Sequence, residues 1–317
     1  MTALTMGKPL RVAMGETITD LAATNDRLVV LDGDTAGSTR VDIFQQAYPD
    51  RFYQTGIAEM NMLGMAAGMA TVDGLIPIVS TFSAFIASRA HDSIRVLIAQ
   101  PKLNVKLLGA YSGLLAGMTG KTHLLFDDIP IMRAMANMVV VAPVDEIETR
   151  SALAAIVEYE GPVYLRLNRG NTPIIFDEDY RFELGKAVTV REGGDVTVFA
   201  TGTHTARAYE AAEQLVTEGI DVHLVHVPTI KPLDVEAVVT AAQRTGLVLT
   251  TEEGTVIGGL GGAIAETLAE FAPMPVTRHG LQDVFGESGP DGALLDKYGI
   301  SPPHVAAAIK EWVGTRH

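Results

Sequence analysis

Hydrophobic residues along the chain alternate between short continuous runs and longer stretches with helical spacing. Residues 28–31, 76–79, 105–108, 138–141 and 163–165 form apolar or β-branched runs, and residues 38–47, 83–99 and 145–158 are predicted helices. Strands that are apolar throughout are typical of a parallel sheet covered by helices on both faces. The pattern therefore predicts a βαβ architecture.

The pattern breaks between residues 169 and 185, where Gly, Asn, Pro and acidic residues gather. We predict a linker there. A second cycle follows, with strands at 196–199, 222–227, 247–250 and 275–277 and helices at 205–218, 234–244, 258–271 and 302–313. The sequence thus predicts two α/β domains, a parallel-sheet domain over residues 1–175 and a smaller domain over residues 185–317.

Composition narrows the range of functions. The 317 residues carry a net charge of -14, and the longest basic clusters are pairs, so nucleic acid is not an expected partner. No run approaches the ~18 apolar residues of a membrane helix, and the first residues have no secretory apolar region, so we expect no membrane contact and a cytoplasmic location. The absence of Cys excludes disulfides, thiolate metal sites and Cys nucleophiles. No metal-ligand motif is present, and we predict no metal ligands within this chain.

Three stretches could carry chemistry. Glu59 follows a predicted strand-to-helix turn, where a carboxylate could act as an acid or base or only complement the helix dipole. Phe82 and Phe85 could stack on a planar ligand or belong to the core. His123 ends a Gly-containing loop and could transfer a proton or bind an anion. Taken singly, each pattern favours the structural interpretation.

Taken together, these stretches resemble the transketolase family of thiamine diphosphate enzymes. The resemblance covers essentially the whole chain. Its motifs occur in the family's order: Gly56-Ile57-Ala58-Glu59, Ser80-Thr81-Phe82 with Phe85, Gly120-x-Thr122-His123, Gly161 to Arg166 with Arg169, Ala200-Thr201-Gly202-Thr203, Ile230 to Asp234, Glu252-Glu253 and Gly258-Gly259-Leu260-Gly261. The order and number of these motifs reverse the structural interpretation of Glu59.

The resemblance implies a role for each matching residue on the cofactor side. A Glu at the position of Glu59 bonds the aminopyrimidine ring of thiamine diphosphate and helps it to deprotonate its own thiazolium carbon. Phe82 and Phe85 match the aromatic residues around the pyrimidine. Asp34 and Ile57 match positions that flank the cofactor.

On the substrate side, the resemblance implies that His123 contacts the substrate near the reacting carbonyl. Arg11, Ser38 and Arg169 match positions that hold the sugar phosphate.

The chain departs from the family pattern at two positions. Family members that use simple aldose phosphates commonly have His where this chain has Tyr111, and Asp where it has Thr119. In those members the His binds phosphate and the Asp contacts a hydroxyl group beside the aldehyde. Both substrate contacts therefore change in this chain. We hypothesise a less common ketose phosphate, branched at the carbon that Thr119 faces.

The family's N-terminal domain, which binds the diphosphate through Mg²⁺, has no counterpart in this sequence. We therefore expect a split transketolase, in which an N-terminal partner subunit holds Mg²⁺ and the diphosphate and the assembly is a dimer of heterodimers. Such an enzyme transfers a two-carbon ketol unit between phosphorylated sugars. Two alternatives remain: the β subunit of a 2-oxoacid dehydrogenase, and a non-catalytic homologue that keeps the fold.

Overall fold

A computed structural model describes residues 4–72 and 74–315, so the outermost residues of both predicted domains lie outside the described range. The strands are β1 Met6–Pro9, β2 Leu28–Asp32, β3 Phe52–Gln54, β4 Ile76–Phe82, β5 Lys106–Ala110, β6 Val139–Val141, β7 Val163–Arg166, β8 Asn171–Pro173, β9 Val188–Arg191, β10 Val196–Ala200, β11 Val222–His226, β12 Thr229–Lys231, β13 Val248–Thr255 and β14 Val276–Leu281.

The α-helices are α1 Leu10–Ala22, α2 Ala36–Thr39, α3 Asp42–Ala47, α4 Glu59–Met69, α5 His91–Ser93, α6 Asp128–Ala134, α7 Glu146–Glu158, α8 His204–Val216, α9 Val235–Thr245, α10 Leu260–Phe271, α11 Asp291–Lys297 and α12 Pro302–Gly314. Two wider helical turns cover Ala84–Arg89 and Ile94–Ala99, and two tighter turns cover Pro49–Arg51 and Gly117–Thr119. None of the helices within residues 4–72 and 74–315 is long and apolar enough to span a membrane.

The N-terminal domain contains a seven-stranded sheet in the order β12-β6-β7-β5-β4-β2-β3. Strands β2, β4 and β5 are buried at every position, which agrees with the apolar run that each of them contains. One core cluster packs α4 and α6 on one face, and another packs α1 and α7 on the other. The predicted α/β class is confirmed.

The sheet is not wholly parallel, however. Its edge strand β12 pairs antiparallel with β6, with Thr229 opposite Val141. Because β12 comes from the second half of the chain, the first sheet includes residues from beyond the predicted linker. The two domains therefore share main-chain hydrogen bonds.

The C-terminal domain has a five-stranded sheet in the order β14-β13-β10-β11-β9. Only the edge strand β9 is antiparallel to its neighbour among the described strands of this sheet. Helices α8 and α12 cover one face, and α9 and α10 cover the other. Asp234 begins α9 by accepting a hydrogen bond from the Ala237 amide at 3.2 Å, and Gly246 ends the helix at φ +63°.

Several predicted elements differ in the structure. The expected linker contains β8, which pairs antiparallel with β1, so it has regular structure. The helix expected over residues 38–47 is broken at Arg40, which has a φ of +73°. The helix expected over residues 83–99 contains wide turns, with the Ala90 amide bonded to the carbonyl of Phe85 five residues earlier. An insertion of this kind leaves no periodic signal in the sequence.

Candidate functional site

A cleft of about 520 Å³ opens at the carboxyl ends of β2 and β4. In parallel sheets, loops at this edge commonly form ligand sites. The cleft is lined by Gly33, Asp34, Thr35, Ser38, Ile57, Glu59, Phe82, Phe85, Arg89, Thr122 and His123.

Glu59 is the acidic group at the first position of α4, and its side chain is only 3% exposed. The position lies near the positive end of the helix, which favours a carboxylate. Arg89 Nη1 donates a hydrogen bond to Glu59 Oε1 at 2.7 Å, and its guanidinium lies 4.5 Å from the centre of the Phe85 ring. The sequence reasoning missed Arg89, because the wide turn that carries it to the cleft has no periodic pattern.

An aromatic wall forms the side of the cleft next to Glu59. The ring centres of Phe82 and Phe85 lie 5.5 Å apart at an angle of 30°. His123 approaches both rings edge-on, at 5.8 Å from Phe82 and 5.3 Å from Phe85. A hydrogen bond of 2.9 Å joins His123 Nδ1 to the Thr122 hydroxyl. The wall can accept a flat ring, and the imidazole adds a polar group beside it.

Gln54 joins the two loops that carry Asp34 and Glu59. Its Oε1 accepts hydrogen bonds from the amides of Asp34 and Gly56, both at 2.9 Å. Its Nε2 donates to Asp32 Oδ2 at 2.7 Å, and Asp32 is fully buried. Asp34 has a φ of +63°, a conformation that Asp tolerates better than most residues. Sequence reasoning missed Gln54 as well, since a strand-end Gln carries no distinctive pattern.

Two guanidinium groups, those of Arg11 and Arg169, lie near the ring of Tyr111. Arg11 Nη1 donates to the Ser38 carbonyl at 2.7 Å, and Arg11 Nε donates to the Arg169 carbonyl at 3.2 Å. The guanidinium carbons of Arg11 and Arg169 lie 5.7 and 5.6 Å from the centre of the Tyr111 ring. Burial, and to a lesser degree the charge of Arg169, lower the pKa of Arg11. Two cations near Tyr111, whose ring stacks on Phe82 of the cleft, favour the binding of an anion on this side.

The structure brings most of the predicted site residues together. Those that line the cleft are Asp34, Ser38, Ile57, Glu59, Phe82, Phe85 and His123. The guanidinium groups of Arg11 and Arg169 both lie near the Tyr111 ring, and Tyr111 stacks on Phe82 with ring centres 4.1 Å apart. Thr119 is not among the lining residues, and its hydroxyl donates to the Ala116 carbonyl at 2.6 Å. The roles of all these residues stay predictions. Within residues 4–72 and 74–315, no cluster of three His, Cys, Asp or Glu side chains could hold a metal ion.

Two family models together match almost the whole chain. The transketolase pyrimidine-binding domain matches residues 7–174, and the transketolase C-terminal domain matches residues 185–305. The chain therefore belongs to the transketolase family, and the predicted family and two-domain fold are confirmed.

Relatives of similar length give a finer picture. A Methanocaldococcus jannaschii chain named as a transketolase C-terminal section is 43% identical over 96% of each chain. A Clostridium protein named 6-deoxy-6-sulfo-D-fructose transketolase subunit SqwH is 42% identical, over 95% of this chain and 94% of the relative. A solved structure described as a split gene transketolase, inactive beta4 tetramer, superposes with a TM-score of 0.91 at 45% identity and covers 97% of this chain and 99% of its own.

Proposed function

We propose that this chain is the C-terminal subunit of a split, thiamine diphosphate-dependent transketolase. Together with an N-terminal subunit it transfers a two-carbon ketol unit between phosphorylated sugars. The observation that carries the proposal is the cleft, in which a buried carboxylate, two stacked rings and a His lie at the carboxyl edge of a parallel sheet. Each of these groups matches a residue that the family resemblance implies.

The described residues fit the pyrimidine half of the cofactor. Phe82 and Phe85 offer a flat apolar surface for the ring, and Glu59 presents a carboxylate within the same cleft. When bound, thiamine diphosphate supplies the carbanion chemistry of ketol transfer. The chain's own part is to hold the ring and to exchange a proton with it at a Glu59 carboxylate oxygen. Arg89, bonded to Oε1, keeps this carboxylate at the cleft wall.

The residues around His123 and Ser38 bind the substrate. His123 is bonded to Thr122 and lies edge-on to the aromatic wall, where its imidazole can donate to the substrate's carbonyl oxygen. Arg11 and Arg169 offer donors for the phosphate. This local pair of cations lets a chain with a net charge of -14 bind an anionic sugar.

Tyr111 and Thr119 are the two positions at which this chain departs from the family pattern, and they bear on which sugar it uses. Tyr111 stacks behind Phe82, and Thr119 bonds within its own turn. Neither residue offers the charged or basic group that the family pattern commonly has at its position. We propose that the enzyme acts on a less common, branched ketose phosphate.

We further propose that Mg²⁺ and the diphosphate are held mainly by the N-terminal subunit, in a dimer of heterodimers. Two relatives of matching length support this, since one is named as a C-terminal section and the other as a subunit. The description of the similar structure as an inactive beta4 tetramer supports a requirement for the partner.

Reconstitution tests the proposed activity. The chain is mixed with an N-terminal transketolase subunit, thiamine diphosphate and Mg²⁺, and ketol transfer is measured with a panel of ketose donors and aldose acceptors. The panel includes linear and branched ketose phosphates and 6-deoxy-6-sulfo-D-fructose. We expect turnover only in the mixture and only with the cofactor present. Turnover by this chain alone, or none in any mixture although the subunits associate, would contradict the proposal.

A further inference from the structure

The loop after β5, residues 111–123, carries Thr122 and His123 of the cleft. This loop is held by hydrogen bonds to the C-terminal domain. Glu253 lies in β13 of that domain and is only 2% exposed. Its Oε1 accepts hydrogen bonds from the amides of Leu114 at 2.6 Å and Leu115 at 3.1 Å. Charge-assisted hydrogen bonds to buried amides are among the stronger ones in proteins. Glu253 therefore fixes the main chain of this loop.

The carboxylate of Glu253 is itself held in place from both domains. Asn168 Nδ2 donates to Oε1 at 3.2 Å, and Arg207 Nη1 donates to Oε2 at 2.7 Å. Arg166 Nη2 donates to the Glu253 carbonyl at 2.8 Å. The carboxylate thus has little freedom to turn away from the loop.

The close approach between loop and carboxylate depends on Gly113. Its φ is +75°, and a Cβ at this position would collide with Glu253 Oε1. The amide of Gly113 donates to the Leu125 carbonyl at 3.0 Å, which joins the start of the loop to the residue two positions after His123. A restraint on residues 113–115 therefore also acts on Leu125, two residues beyond His123.

A second contact from the C-terminal domain holds the same loop at Gly117. The Gly117 amide donates to Asp291 Oδ1 at 3.2 Å, and the Gly289 amide donates to the Gly117 carbonyl at 3.2 Å. A Cβ on Gly117 would collide with Leu294. The turn Gly117–Thr119 is consequently packed against α11 and against Gly289, which precedes that helix.

We propose that Glu253 is a positioning residue for the candidate active site, through which the C-terminal domain sets the loop that carries His123. The inference rests on the proposed function for its effect on catalysis, but its effect on the loop is measurable without any substrate. Glu253 does not line the cleft and acts only through the main chain of the loop.

Glu253→Gln tests the proposal, because an amide has one acceptor oxygen and cannot serve both the loop and Arg207. Glu252→Gln is the matched control. Glu252 is the neighbouring buried carboxylate, and it accepts hydrogen bonds from the amides of Leu260 at 2.9 Å and Gly261 at 2.8 Å, within the C-terminal domain. Both variants replace a buried Glu in β13, but only one contacts the loop.

Hydrogen exchange of the full chain gives the first readout. In Glu253→Gln we expect the peptides covering residues 112–125 to exchange about tenfold faster or more. In Glu252→Gln these peptides should exchange as in the wild type. Unchanged exchange in Glu253→Gln, or an equal increase in both variants, would overturn the proposal.

Arg207→Gln serves if Glu253→Gln does not fold. This variant releases the other carboxylate oxygen of Glu253 and should raise exchange of the same peptides by about threefold. Wild-type exchange in Arg207→Gln would overturn the proposal.

Kinetics of the reconstituted enzyme give the second readout. We expect Glu253→Gln to lower kcat/KM for the sugar substrates by about tenfold, with no change in the affinity for thiamine diphosphate, because Glu59, Phe82 and Phe85 lie outside the loop. Equal losses for sugar and cofactor would indicate general damage and contradict a positioning role. If the wild type shows no ketol transfer, the proposed function fails, whereas the exchange result still decides the role of Glu253.

Discussion

Replacing Glu59 with Gln is the sharpest test of the cleft's chemistry. The variant keeps the size of the side chain and an oxygen for Arg89, but it removes the group that exchanges a proton with the aminopyrimidine. Losing a positioned acid or base typically reduces a rate by about 10²–10⁴-fold, and we expect a loss in kcat of this size. Because the Arg89 side chain is 49% exposed, the free energy of unfolding should change by less than about 1 kcal/mol.

The chain offers a closely matched control in Glu146. Like Glu59, Glu146 is the first residue of a helix and has a largely buried side chain, and it pairs with an Arg, Arg150, at 4.0 Å. It does not line the cleft. Glu146→Gln should therefore retain ketol transfer within about twofold while changing stability by a similar small amount.

The assay is steady-state ketol transfer by the reconstituted enzyme, with urea unfolding of each variant measured in parallel. Wild-type turnover by Glu59→Gln would refute the role of Glu59. A matching loss in Glu146→Gln would mean that the effect arises from helix starts in general rather than from the cleft.

Three further variants test other parts of the structure. Phe85→Leu removes ring stacking, worth about 1 kcal/mol, and should weaken thiamine diphosphate binding about fivefold in calorimetry, whereas unchanged affinity would exclude contact with the ring. Burial lowers the pKa of Lys106 to about 7 from 10.5, so the folded chain binds fewer protons than the unfolded chain between these values. Stability should therefore rise with pH across this window and lose that slope in Lys106→Met, as measured by denaturant unfolding; an unchanged slope would show that Lys106 is not its source. Asp128→Asn leaves the buried Arg166 without its 2.9 Å ionic partner and should cost about 3 kcal/mol of unfolding free energy; a cost near zero would mean that the pair is not desolvated.

The sequence predicts the parts of the fold that have a strong apolar pattern. Strands such as β4, buried at all its positions, are visible as apolar runs. Short strands such as β1, β8 and β12 are visible only through their partners, because three or four residues carry too few positions to show a period. The pairing of β12 with the first sheet depends on a long-range contact that no local pattern encodes.

The candidate site divides in the same way. Glu59, Phe82, Phe85 and His123 come from motifs with a recognisable order, and the structure brings them to one cleft. Arg89 was not predicted, since an extra residue in its helical turn determines where it lies.

Gln54 was missed, and Glu253 was recognised only as part of a family motif without a role, for a related reason. They act through backbone amides, and the bonding of amides depends on how distant loops meet. Residues that position other residues are therefore harder to recognise in a single sequence than residues that take part in the chemistry.

Calorimetric titration of thiamine diphosphate with Mg²⁺ tests the central claim most directly. The titration is made into this chain alone, into an N-terminal transketolase subunit alone, and into their mixture. A split cofactor site predicts tight binding with one cofactor per heterodimer in the mixture and none to this chain alone. Tight binding to this chain alone, or no binding to the assembled mixture, would contradict the account.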